Sequence, residues 1–274
     1  MKHHYGKNVF LTGGSSGIGL ATAKLLAENG FTVFAASRNP NAEVRKTPGG
    51  GEIRPVTLDV RDPVSVDAAV EYVLSQADIG VIIHSAGIGI ACPAEESPSE
   101  PVERLMDTNF TGVLHLNSRL LPHLRSRGKG LCLMIGSVAG LFPIPFQSHY
   151  SASKAALDSY AAAMRMEMAG SGVRVSLVLP GDTNTGFTSA RTYEVEECSV
   201  YYEKCVRAVR KMEKDEIGGR KPESVARIIL KLCSKARPPL RTIVGFDYKF
   251  LAFLKRLLPY CLVEAILKSV YMGR

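Results

Sequence analysis

Tyr150 and Lys154 stand four residues apart in the stretch His149-Tyr150-Ser151-Ala152-Ser153-Lys154. A free tyrosine is a poor base, with a pKa of about 10. Residues at this spacing share one face of a helix. A lysine ammonium ~4 Å from a phenolate is worth about 4 kcal/mol at an effective dielectric of 20, enough to draw the phenol toward the range of a working acid or base. Upstream, Ser137 in Gly136-Ser137-Val138-Ala139-Gly140 offers a hydroxyl, and Asn109 offers a carboxamide. Each has a plainer reading by itself: a turn or cap for Ser137, a polar helix residue for Asn109, an exposed helix pair for Tyr150 and Lys154. His149 reads as a bystander or a pocket wall.

A second chemical feature lies near the N-terminus. The apolar run Asn8–Thr12 leads into Gly13-Gly14-Ser15-Ser16-Gly17-Ile18-Gly19 and then into a helical pattern. Glycines let a backbone approach a pyrophosphate, and the following helix offers its N-terminus to the negative charge. The next strand ends in Ser37-Arg38-Asn39, with no acid to hold a ribose 2′-hydroxyl. Arg38 instead offers a planar fork to a 2′-phosphate, so NADP(H) is favoured over NAD(H). The competing reading of Arg38 is a solvated loop residue. Asp59-Val60 and Ser85-Ala86-Gly87 close two further strands, where cofactor contacts belong; Asp59 reads equally as a loop or capping residue.

These residues need a frame. Short apolar strands are predicted at 8–12, 31–37, 53–58, 79–85, 131–136 and 173–179, with a late strand at 242–244. Helices are predicted at 18–29, 62–76, 100–125 and 152–169. Apolar strands alternating with helices mean an α/β fold, a Rossmann-like doubly wound parallel sheet covered on both faces. The whole chain, 1–274, reads as a single domain. Residues 186–221 interrupt the pattern as a substrate-side insertion. From Tyr248 a C-terminal extension shows an apolar helical face (Phe250, Leu251, Phe253, Leu254, Leu257, Leu258) beside Lys249, Lys255 and Arg256. A covering helix or a dimer contact is favoured there; peripheral membrane contact is the other reading, because the basic flank suits a lipid surface.

Composition narrows the function classes. The 274 residues are 46% hydrophobic, enough for a full core. No apolar run reaches the ~18 residues of a spanning helix, and no secretory signal pattern opens the chain. The six cysteines form no CxxC pair, which argues for free thiols in a cytoplasmic protein and for no metal site. The net charge of +8 is dispersed, so nucleic acid is not an expected partner.

Taken in order, Thr12–Gly19, Asp59-Val60, His84-Ser85-Ala86-Gly87, Asn109, Ser137, Tyr150, Lys154 and Pro180-Gly181 resemble the short-chain dehydrogenases/reductases in their compact form. The match spans about two thirds of the chain and departs at His84-Ser85, where that family usually shows two asparagines. The resemblance implies that Tyr150 exchanges a proton with a carbonyl or alcohol oxygen. It implies that Ser137 binds that oxygen, that Lys154 also holds the nicotinamide ribose, and that Asn109 helps keep a relay water. It also places Thr183 or Thr185 at the cofactor and predicts a homodimer or homotetramer. Apolar side chains after Gly87 and Ser137, and a looser similarity of the C-terminal part to 17β-hydroxysteroid and retinol dehydrogenases, imply a steroid-like or other bulky lipid substrate. The alternatives are a reductase of small or acyl ketones and a non-catalytic NADP-binding regulator.

Overall fold

The computed structural model describes residues 3–40 and 43–273. Its elements in chain order are β1 (Asn8–Thr12), α1 (Gly17–Glu28), β2 (Thr32–Ser37), β3 (Arg45–Lys46), β4 (Glu52–Thr57), α2 (Pro63–Gln76), β5 (Val81–His84), β6 (Ile90–Ala91), α3 (Ser99–Met106), a π-helical turn (Asp107–Thr111), α4 (Gly112–Ser126), β7 (Gly130–Ile135), a 3₁₀ turn (Val138–Gly140), α5 (Ser148–Glu167), β8 (Val173–Leu179), β9 (Thr192–Tyr193), α6 (Tyr202–Ile217), α7 (Pro222–Cys233), β10 (Arg241–Ile243), α8 (Phe246–Leu257) and α9 (Tyr260–Met272).

The main sheet runs β10-β8-β7-β5-β1-β2-β4-β3, parallel except for the β3–β4 pair. Chain order reverses between β1 and β5, so a crevice opens beyond the C-terminal ends of those strands. β5 and β7 are buried along their whole length because helices cover both faces. On one face Val9, Val33, Ile83 and Leu133 meet Ala23 and Leu26 of α1 and Ile229 of α7. On the other, Phe10, Phe34 and Ile82 meet Val70 of α2 and Leu120 of α4, while Met134 and Leu177 meet Leu157 and Ala161 of α5. Each such side chain contributes roughly 1.5–3 kcal/mol on burial.

Several boundaries differ from the sequence reading. α5 starts at Ser148, not Ala152, so Tyr150 already lies inside the helix and shares its face with Lys154. The helix expected over 100–125 is interrupted by the π turn at 107–111. The Gly49–Gly51 stretch is a surface turn, exposed at Gly49 and Gly50, whose backbone lies close against the end of α1: Gly51 is buried, and a Cβ on either Gly49 or Gly51 would collide with carbonyl oxygens at Glu28, Ala27 or Phe31. The tail is two helices, broken where Pro259 cannot continue α8. β3 and the small β6–β9 sheet carry too few residues to be read from pattern alone, whereas α7, with Pro222 at its start and Val225, Ala226, Ile229 and Cys233 on one face, carries a helical signal that the sequence reading passed over. All six cysteines are free.

Candidate active site

The turn from β1 to α1 builds a phosphate cradle by exclusion of side chains. Gly13 has φ 70° and Gly17 φ 50°, in the left-handed region that glycine occupies without strain. A Cβ on Gly19 would strike the Gly13 carbonyl, and one on Gly14 would come within 2.8 Å of Ala35. Ser16 precedes α1 in extended conformation, and its side chain makes no cap, so the first amides of α1 are left for another acceptor. Ile18 packs under the turn against the core. Thr12 Oγ1 accepts from the amides of Ser85 (3.1 Å) and Ala86 (3.2 Å), which ties the ends of β1 and β5 across the crevice.

That crevice is a groove of about 400 Å³ lined by Gly13, Ser15, Ser16, Ser37, Arg38, Asp59, Val60, Ala86 and Gly87. The Ser37 hydroxyl is buried at its edge without a partner. Arg61 and Arg104, which pattern reading passed over, also line it. Arg61 chelates Asp59 (Nη2–Oδ2 2.6 Å, Nε–Oδ1 3.0 Å) and holds that carboxyl below the usual range. With Asp59 and Arg61 neutralising each other, Arg38 and Arg104 leave the groove electropositive. Glycine cradle, orphaned Ser37 hydroxyl and basic wall together fit a dinucleotide phosphate.

Beside Gly87, where a Cβ would sit 3.6 Å from Lys154 Nζ, the sheet positions a second cluster. Ser137 follows β7 and caps the 3₁₀ turn, its Oγ accepting from the Ala139 amide at 3.1 Å. Gly140 lets this turn lie on α5, since a Cβ there would sit 2.9 Å from the Lys154 carbonyl carbon. Ser137, Tyr150 and Lys154 are thereby brought together. Lys154 is buried, donates to the Ile135 carbonyl (3.1 Å) and lies 5.7 Å over the Tyr150 ring. Burial lowers its pKa to about 8.

The expected tuning of Tyr150 takes another form. Burial pushes its phenol up to about 12, and the neighbouring Ser137 hydroxyl pulls it back. Glu216 pushes it further up and Arg191 opposes that. The lysine faces the ring and a backbone carbonyl, so its attraction for the phenolate is not the leading influence. In this state Tyr150 is a protonated donor.

Asn109 is pinned rather than free. Its Oδ1 accepts from the Ile88 amide (2.8 Å), and its Nδ2 donates to the Ile88 carbonyl (3.0 Å) and Ser153 Oγ (3.1 Å). It clamps the Gly87–Ile88 loop to α5, and both ends of its carboxamide are committed. His84 departs from the family pattern with a structural consequence: it is buried against Asn117 (2.9 Å), and burial lowers its pKa to about 4, so it is neutral.

The segment after β8 closes over the groove. Pro180 accepts from the Val138 amide (2.9 Å), and Gly181 is packed under the Tyr248 ring. Thr183 folds back on the Gly181 carbonyl (2.9 Å), and Thr185 rests against Gly17. Residues 192–193 pair with 90–91, laying a strap beside the groove, and the Phe187 ring lies tilted against Tyr150, centroids 5.5 Å apart. Gly89 lets the Phe187 ring lie close over the loop, since a Cβ there would approach Phe187 Cζ to 2.8 Å and displace the ring. Beneath the strap the Arg191 side chain has 0% exposure and pairs with Glu216 (2.6 Å) and Glu213 (3.6 Å), while Thr188 donates to Glu216 (2.7 Å). No sequence motif marks this network, in which Arg191 is separated from Glu216 by a loop and about four turns of α6. On the loop after Ser137, Phe146 is the one non-glycine residue with positive φ (60°) among those described, a strained corner that turns Ile144 and Phe146 onto α6.

Residues 7–196 match the family model described as short chain dehydrogenase. The chain belongs to that family, oxidoreductases that act on CH–OH and C=O groups. It is 36% identical over 240 residues to a 3-ketodihydrosphingosine reductase from Bacteroides thetaiotaomicron, covering 86% of this chain and 87% of that protein. It is 34% identical over 189 residues to the 17-beta-hydroxysteroid dehydrogenase type 1 of Homo sapiens, covering 65% of this chain and 57% of that one. The fold superimposes with a TM-score of 0.80, at 21% identity, on a short-chain dehydrogenase/reductase from Burkholderia phymatum in complex with NAD, covering 94% and 95% of the two chains.

Proposed function

We propose that this protein is an NADP(H)-dependent oxidoreductase that interconverts a ketone and a secondary alcohol on a bulky lipid or steroid-like substrate. The observation that carries the reading is the convergence of Ser137, Tyr150 and Lys154 beside Gly87, which lines the arginine-containing groove. Bound nicotinamide supplies or accepts the hydride. Tyr150, held protonated by burial, donates its proton to the carbonyl oxygen as that oxygen gains charge, and takes a proton back in the reverse direction. The Ser137 hydroxyl fixes that oxygen by hydrogen bonding. Lys154, still largely cationic below pH 8, stabilises the phenolate that forms and holds the ribose. Asn109 acts through the Gly87–Ile88 loop and so positions the floor of the site. Arg38 is the reader of the 2′-phosphate, because no acid stands at the end of β2.

Support for a lipid substrate comes from the apolar wall of Ile88, Ile144 and Phe146 and from the reductase and hydroxysteroid dehydrogenase among the relatives. Exposed small residues on α5 (Ala155, Ala163) support a homodimer through that helix. The test is to mix the protein with NADPH or NADH and a panel of long-chain, steroid and small ketones, and follow loss of reduced-nicotinamide absorbance. Turnover of bulky ketones with NADPH is expected, falling in Arg38→Ala with NADPH but not with NADH. Equal use of NADH by the wild type overturns the role of Arg38, and cofactor binding without turnover overturns the enzymatic reading.

A further inference from the structure

The two C-terminal helices have inner and outer faces of opposite character. Inward, the Tyr248 hydroxyl pairs with Asp182 on the segment after β8. Lys255 donates to the Leu141 carbonyl and lies 5.3 Å over the Phe142 ring. Tyr271 of α9 packs into the cluster of Ile144 and Phe146. α8 and α9 therefore roof the loops that follow Ser137 and Gly181, on the substrate side.

Outward, α8 buries no residue and α9 buries only Val263. Phe246 (83% exposed), Phe250 (53%), Phe253 (57%) and Leu257 (65%) recur every three or four positions as one stripe of α8, and Leu262 and Ile266 are exposed on α9. Patches of this kind mark an interaction surface. Lys249 and Arg256 each follow a stripe phenylalanine by three residues, are exposed, and have no ion-pair partner among the described residues. The acids of these helices are already neutralised: Asp247 pairs with Arg220 (2.7 Å) and Glu264 with Lys268 (2.6 Å). The free charge on this face is cationic.

We propose that the outer face of α8–α9 docks on an anionic lipid bilayer and sets the substrate entrance against it, so that a lipid ketone reaches Tyr150 without crossing water. The site of delivery rests on the lipid reading above; the docking itself does not. No described helix is long and apolar enough to cross a membrane, so α8 and α9 lie along the interface. A second copy of the chain is a poorer occupant, because apposing two such faces would bring their unpaired Lys249 and Arg256 side chains together with no free acid to meet them.

The test is flotation of the full chain with vesicles of phosphatidylcholine, alone or with about a third phosphatidylserine. Binding is expected to be at least about ten-fold stronger to the anionic vesicles, since each of the two basic residues at such a surface adds about five-fold. F250E/F253E should abolish binding while leaving the melting temperature and the reduction of a small water-soluble ketone unchanged. K249E/R256E should lose the anionic preference. Absence of wild-type binding, or binding untouched by F250E/F253E, overturns the proposal. So does a wild-type dimer that F250E/F253E dissociates in sedimentation without any vesicle binding, which assigns the face to a second copy. Because binding is read without turnover, an inactive protein that still floats leaves the docking standing and removes only the enzymatic reading.

Discussion

The cofactor end and the substrate end of this molecule are held by different forces. Around Gly13–Gly19, Ser37-Arg38 and Ala86-Gly87 the backbone is fixed by the apolar sheet below it: β1, β2 and β5 bury Phe10, Leu11, Phe34 and Ile83 completely. Around 183–193 the strap is held mainly by ion pairs and hydrogen bonds to α6, itself seated on the apolar cluster of Cys205, Val209 and Met212: Arg191 to Glu216 and Glu213, Thr188 to Glu216, and Tyr193 to Glu213 (2.7 Å). Apolar burial is non-directional and survives partial substitution. A buried charge network fails once one member is lost. The first arrangement suits a constant ligand, the second a segment that must open for substrate, with Phe187 resting on Tyr150.

Tyr150 stands where the two ends meet, and its removal gives the sharpest separation. Tyr150→Phe should lower kcat by about 10²- to 10⁴-fold, the usual share of a general acid, while NADPH affinity measured by fluorescence titration stays within a factor of a few. A comparable loss of cofactor affinity would show that the ends are not separable.

Arg191→Ala breaks the network and leaves Glu216 buried beside Tyr150 without its cation. It should cost about 3–5 kcal/mol in urea unfolding, and Arg191→Lys should recover only part because an ammonium cannot replace the planar fork. Limited proteolysis should cut first within 183–217 while the NADPH groove stays protected. Cleavage elsewhere would assign Arg191 to the global core instead.

His84, under the cofactor end, gives the smallest effect. Its folded pKa of about 4 lies below the unfolded value of 6.5, so the unfolded chain takes up a proton that the folded chain refuses. Its contribution is complete above pH 6.5 and is lost as pH falls toward 4, to a limit of roughly 3 kcal/mol. His84→Asn should remove that portion of the pH dependence in urea titrations at pH 7, 5.5 and 4. Parallel curves for the two proteins would show that His84 is not neutral in the fold.

The readable parts of the site were those whose chemistry is local in sequence. The glycine turn declares itself because left-handed and close-approach backbone needs glycine at Gly13, Gly17 and Gly19. The Tyr150–Lys154 spacing follows from helix periodicity, and Arg38 from the absence of an acid after β2. What was not readable depended on distant segments. Arg61 and Arg104 enter the groove from separate loops and helices. The Arg191–Glu216 pair joins residues 25 apart. Lys154 was expected to set the proton affinity of Tyr150; tertiary packing made burial the larger influence and turned the ammonium toward Ile135.

By itself, then, the sequence determined an α/β sheet with a phosphate-binding turn at its first crossover and an acid–base tyrosine on a later helix, because alternation, glycine placement and helical spacing act over a few residues. Tertiary structure alone decided how the chain ends are used. Whether the apolar residues of the tail cover a core or face outward depends on what α8 and α9 pack against. Tyr248, Lys255 and Tyr271 spend the inner face on the active-site loops and leave Phe246, Phe250 and Phe253 exposed.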